Sequence, residues 1–129
     1  MPAKDSVSET TLFVNTTIKA WSLQISRFND LLGKLSDEDL RREIAPGKNT
    51  GLYLLGHMAA AHDALFPLLG FGQRLYPHLE KPFLSSPDKS GFEFPAIDDL
   101  KKAWNEINAK LLEHFLGLSP EEWLSKHNA

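Results

Sequence analysis

The chain has 129 residues, of which 42% are hydrophobic, which is the size of one domain with enough apolar side chains for a core. Its net charge of -3, without a basic run, argues against nucleic acid as a partner. No apolar run approaches the roughly twenty residues that cross a bilayer, and residues 1–6 lack a signal-peptide core. No cysteine is present, so disulfides and thiolate ligands are excluded. We predict a single cytoplasmic domain over residues 1–129 that has no membrane partner.

The first helix is predicted from apolar residues that recur every three or four positions. Ser6 and Glu9 have the spacing of a capping box, and together they predict a helix from about residue 7 to about residue 34 with one apolar seam. Residues 36–40 then predict a short helical turn before the break at Pro46 and Gly47. The seam consists of Val14, Ile18, Trp21, Ile25, Phe28, Leu32 and Leu35.

A second, more apolar helix is predicted from about residue 50 to residue 69, where Pro67 and Gly70 end it. His57 lies beside the predicted core-facing stripe, so its imidazole is expected to point partly inward. The alanines around it suit either close helix packing or a pocket, and the sequence leaves both readings open. The stripe is Leu54, Met58, Ala61, Leu65 and Leu68.

Residues 73–95 contain four prolines and no sustained period, which predicts a long loop. Its aromatic residues, Tyr76, Phe83, Phe92 and Phe94, either cover the mouth of a pocket or pin the loop to the helices.

The third long helix is predicted over residues 97–117, with aspartates in its first turn. Ser119, Pro120 and Glu122 then have the order of an N-cap, a first-turn proline and a capping-box glutamate, so another helix begins there. The stripe of the third helix is Leu100, Trp104, Ile107, Leu111, Phe115 and Leu118.

The run from Asn49 to Asp63, which includes the Leu-Gly-His-Met sequence around His57, resembles helix two of the DinB-like superfamily, also called DinB/YfiT. Tyr76-Pro77 and the segment Leu118–Trp123 are also similar to that family. The resemblance implies an all-α fold, an antiparallel up-down-down-up four-helix bundle. It also implies that the fourth, C-terminal helix is short or missing in this chain.

The same resemblance implies a divalent metal, zinc, nickel or iron, held by three histidines, with His57 as one ligand. It further implies a small-molecule substrate and an activity as a thiol-dependent transferase or a hydrolase, with a low-molecular-weight thiol as partner. The other two family ligands form a His-x-x-x-His pair, and no two histidines here have that spacing. Either a further C-terminal segment supplies them or the metal site has been lost.

The other four histidines are weaker candidates. His62 lies about 140° around the helix from His57, so both cannot reach one metal, and its pairing with Asp63 predicts a surface position. His114 is expected at the edge of the core, while His78 and His127 are unconstrained.

Two functions follow from these residues. The first is a metal-dependent enzyme that uses His57, and the second is a non-catalytic helical scaffold or small-ligand-binding bundle without the metal. In both cases the apolar seams predict a covering element, which is either a C-terminal segment beyond Ala129 or a second copy in a homodimer.

Overall fold

A computed structural model describes residues 8–124. The regular secondary structure within that range consists of helices alone. A single isolated bridge joins Glu43 and Thr50. None of the described helices is long and apolar enough to cross a membrane. The elements are α1 (Glu9–Lys34), α2 (Asp37–Arg41), α3 (Gly51–Asp63), α4 (Leu65–Leu68), a 3-10 turn (Pro77–Leu79), α5 (Glu80–Phe83), α6 (Ile97–Gly117) and α7 (Pro120–Trp123).

The prediction of the three long helices is confirmed for α1 and α6 and needs correction for the second. Helix α3 ends at Asp63, and α4 begins two residues later. Pro67 explains the break, because its ring clashes with the carbonyl group four residues earlier, which belongs to Asp63. The cap of α1 also differs: the Ser8 hydroxyl accepts the Thr11 N–H at 3.1 Å, whereas Ser6 lies outside the described residues.

The short helices begin where their capping residues predict. Ser36 accepts the backbone N–H of Asp39, and the Asp39 carboxylate accepts that of Ser36. Ser119 and Glu122 form the same reciprocal pair at the start of α7. The predicted loop over residues 73–95 is partly helical, since it contains the 3-10 turn and α5. Short proline-containing turns carry no long-range period, which is why the pattern did not reveal them.

Helix α6 packs against α3 and α1, and its predicted stripe is confirmed. Trp104 and Leu111 are almost fully buried, and only Leu118, past the end of the helix, remains half-buried. Helix α1 follows its predicted register but is far less covered. Within it only Val14 and Leu32 are buried, and the rest of its seam is half-buried.

The predicted stripe of α3 is wrong in its register. The residues that α3 buries include Leu52, Leu55 and Ala59, whereas Met58 is half-buried and Leu68 is exposed. The reason is that α3 packs against α6 and also against the segment containing α5. An almost uniformly apolar helix gives periodicity little contrast, so neighbours on two sides decide which residues are buried.

Candidate functional site

His57 lies on α3 beside the segment that connects to α6. Its Nδ1 lies 2.8 Å from the backbone carbonyl oxygen of Phe83, and its ring stacks on Tyr53 with centroids 6.0 Å apart. Phe83 reaches this position because residue 56 is glycine, and a Cβ there would overlap the phenyl ring. His57 is therefore held against the α5 segment.

The carbonyl oxygen can only accept, so Nδ1 of His57 carries a proton and the neutral ring keeps its lone pair on Nε2. For Nδ1 the structure shows close packing against the α5 segment, which is one of the two alternatives that the sequence left open. Nε2 of His57 has no hydrogen-bond partner among residues 8–124. If it were buried it would be a buried nitrogen without a partner, and the only such atom in that range belongs to Arg74, so Nε2 is in contact with solvent.

A metal requires more ligands than His57 alone. Within residues 8–124 no group of three or more His, Cys, Asp or Glu side chains is arranged to hold a metal ion. His57 and His62 bond to different partners on different sides of α3, as their spacing predicts. The described residues therefore supply a single candidate ligand, which does not fit a complete three-histidine site.

His62 was predicted at the surface beside Asp63, and the structure corrects this. Its Nδ1 lies 2.7 Å from Oδ1 of Asn108 on α6, and its ring lies near two tryptophans. The ring centroids are 6.4 Å from that of Trp21 and 4.9 Å from that of Trp104. Burial lowers the pKa of His62 from its ordinary 6.5, and the hydrogen bond to Asn108 opposes that shift only in part.

Asp63 also differs from its predicted surface role. It is only 1% exposed, and its two carboxylate oxygens accept the backbone N–H groups of Leu75 and Tyr76, both at 2.8 Å. A buried carboxylate is tolerated when its oxygens are hydrogen-bonded in this way. Asp63 therefore fixes the start of the connecting segment to the end of α3, and it does not pair with His62.

An open cleft lies between α1 and α3, and Trp104 of α6 contributes to its wall. We call it the His62 cleft, and its volume is about 390 Å³. Trp104 is fixed in place, because its indole N–H donates to Oδ1 of Asn29 at 2.8 Å. The cleft therefore has a rigid aromatic wall and few polar groups. Its lining consists of Trp21, Gln24, Ile25, Arg27, Phe28, Leu31, Met58, His62 and Trp104.

The aromatic residues of the segment pin it to α3, which is one of the two alternatives that the sequence left open. Phe83 is completely buried and stacks on Phe94 with centroids 4.7 Å apart, so it pins the segment to α3. Phe92 and Phe94 also line a second open cleft of about 550 Å³, together with Arg41 and Lys89. Lys89 has a left-handed backbone, with a φ of 66°.

The remaining histidines are less constrained by polar contacts. His114 stacks on Phe71 with centroids 4.5 Å apart, which confirms its predicted position at the core edge. His78 is exposed in the 3-10 turn, and His127 lies outside the described residues.

Comparison with known families identifies the superfamily of the chain. The chain belongs to the DinB superfamily, whose family model matches residues 20–129. A search of curated proteins found no match. The matched range includes His57, His62 and Asn108. Local sequence could not reveal the contact between His62 and Asn108, because 46 residues separate them; the apolar positions flanking Asn108 in its helix were the only available signal.

Proposed function

We propose that this protein binds a small molecule in the His62 cleft and that it is a ligand-binding helical bundle. One observation carries the proposal: an oriented imidazole lies in the wall of an open, mainly apolar cleft. Small-molecule sites typically combine an apolar lining with a few placed polar groups, and they have volumes of roughly 300–1,000 Å³. The His62 cleft has this composition and lies at the lower end of that range.

The polar groups of the cleft are held in place before any ligand arrives. Asn108 is only 4% exposed, and its amide nitrogen donates to the Trp104 carbonyl oxygen at 2.8 Å. The same amide fixes the ring of His62 through its oxygen. Taking an imidazole and an amide out of water costs free energy, which an all-apolar helix contact would avoid. A preorganised acceptor for a ligand is a reason to retain them.

The test uses the tryptophans that line the cleft. A set of small aromatic and aliphatic compounds is screened by the melting temperature of the full chain and by quenching of tryptophan fluorescence. Two of the three tryptophans, Trp21 and Trp104, line the His62 cleft. We expect binders to raise the melting temperature, since a ligand that binds only the folded state stabilises it by mass action.

A cleft-filling variant and a matched control locate the binding. Ile25→Trp places a larger side chain in the cleft, and Leu68→Trp makes the same kind of change at an exposed site on α4, outside it. We expect Ile25→Trp to abolish the ligand-induced shift and Leu68→Trp to keep it. Equal shifts in both variants would contradict the proposal. A stable dimer by light scattering that no compound perturbs would instead assign the cleft to a second copy.

A metal-dependent enzyme of the transferase or hydrolase type is the second candidate, and the position of His57 favours it. Metal-binding histidines commonly donate their other ring N–H to a backbone carbonyl, as Nδ1 of His57 does to Phe83, and leave one nitrogen for the metal. A low-molecular-weight thiol is the partner that the family resemblance implies for such a site. The further ligands would come from outside residues 8–124 or from a second copy.

Metal analysis of the purified protein tests this candidate. Zinc, nickel or iron is added back while the melting temperature is recorded, and His57→Ala is compared with His78→Ala, a change in the exposed turn. The metal candidate predicts a metal-induced shift in the wild type and in His78→Ala but none in His57→Ala. Retention of the shift in His57→Ala would rule out His57 as a ligand.

A further inference from the structure

We infer that the ligand of the His62 cleft is a small planar acid that donates an N–H or O–H hydrogen bond to Nε2 of His62 and places its carboxylate at Arg27. This inference rests on the proposed ligand-binding function and specifies the chemistry of the molecule bound. Its three parts, a donor, a plane and an acid, come from three separate features of the cleft.

The donor follows from the hydrogen bonds of Asn108. Its amide nitrogen faces the Trp104 carbonyl oxygen, which can only accept, so the Asn108 oxygen is the atom that faces His62. An amide oxygen also only accepts, so Nδ1 of His62 must carry the proton. The neutral imidazole then holds its lone pair on Nε2 and is an acceptor there.

Nε2 of His62 is free to accept from a ligand. Over residues 8–124 no hydrogen bond reaches this atom, and Arg74 is the only residue there with a buried side-chain nitrogen or oxygen that lacks a partner. Nε2 is therefore in contact with solvent, and the His62 ring lines the cleft. A ligand that excludes this solvent must supply a donor, because otherwise the acceptor loses its hydrogen bond to water.

The plane follows from the aromatic walls. Trp21 and Phe28 both line the cleft and are only half-buried, so part of each ring is exposed to a ligand. Met58 lines the same cleft with a flexible thioether that packs well against aromatic rings. Flat rings contact such walls over a large area and gain offset-stacked or edge-to-face geometry.

The acid follows from Arg27, which carries the only full charge among the side chains that line the cleft. Within the described part of the chain its guanidinium makes no salt bridge. A guanidinium presents paired N–H groups that match a carboxylate. Gln24, one turn earlier on α1, lines the same rim and adds a neutral amide.

Calorimetry with three matched probes tests the inference on the full chain. The probes are a hydroxynaphthoate, its O-methyl ether and its primary amide, which lacks the carboxylate. We expect the hydroxynaphthoate to bind most tightly. The ether should bind about tenfold more weakly because it has no donor for His62. The amide should bind about threefold more weakly, since an exposed ion pair contributes little.

Two variants connect each loss to its residue. His62→Phe keeps a planar ring but removes both ring nitrogens, so it should remove the preference for hydroxyl over ether. Arg27→Gln should remove the preference for acid over amide. Arg41→Gln changes an exposed arginine outside the cleft and should leave both preferences intact. Circular dichroism reports whether His62→Phe folds. If it does not, Arg27→Gln and the ether comparison in the wild type keep the test decisive.

The outcomes separate the ligand class from the proposed function. Equal affinity for all three probes, lost in Ile25→Trp, would overturn the planar-acid inference and leave the ligand-binding function standing. No binding of any probe, while other compounds bind the cleft in the screen, would also overturn the inference alone. No binding by any compound in the screen would overturn both.

Discussion

The two sides of α6 differ in how completely they are packed. On the side toward α3 and α5, the side chains are at most 1% exposed, as at Phe83, Leu55 and Ile107. Toward α1, the facing residues Trp21 and Phe28 remain half-buried and line open clefts. In the sequence, the apolar seams of α1 and α6 are equally regular. Regular spacing thus tells which face of a helix is apolar, whereas the number of neighbours decides how far that face is buried.

The largest expected effect comes from removing one aromatic ring on each side. Phe83→Ala should destabilise the fold by about 3–5 kcal/mol, since it opens a cavity in a fully packed region. Phe28→Ala should cost about 1 kcal/mol, because a half-buried ring loses only part of its transfer free energy. Urea unfolding followed by circular dichroism measures both, with equal m-values as the condition for comparing them. Similar losses would show that α1 is packed as firmly as α3.

A smaller effect is expected from adding one methyl group on each side. Gly56→Ala would push its Cβ into the Phe83 ring and should cost about 1–3 kcal/mol. Gly33→Ala on α1 has no atom within 4 Å of the new Cβ, and it should stabilise the helix by about 0.5 kcal/mol. Thermal unfolding of the two variants gives opposite signs if the comparison is correct. A neutral Gly56→Ala would mean that the α5 segment moves aside easily.

The smallest effect concerns pH and tests the burial of His62. Its pKa is lowered in the folded state by burial, so below pH 6.5 the unfolded chain binds a proton at this residue more readily than the folded chain. Stability should therefore fall as pH drops through 6.5 toward the lower folded pKa, and this part of the loss should be absent in His62→Gln. Urea midpoints of both proteins at several pH values measure it. If the urea midpoints of the two proteins depend on pH in the same way, His62 is not buried in the folded state.

The sequence predicted the elements well wherever the signal was local. It located α1 and α6 to within a few residues, the capping boxes at Ser36 and Ser119, and membership of the DinB superfamily. It also separated His57 from His62, since a five-residue step on a helix turns the two side chains apart. These results depend on neighbouring residues and on helical geometry, and both can be read along the chain.

Only the tertiary structure decided what the two histidines contact. His57 bonds to the Phe83 carbonyl, and His62 bonds to Asn108; both partners are distant in sequence. We predicted a surface position for His62, because a histidine next to an aspartate in sequence commonly forms an exposed pair with it. Asp63 instead bonds the backbone of the next segment, and His62 faces two tryptophans. Helical period fixes the direction of a side chain from its own axis, but the packing of other helices decides what it meets there.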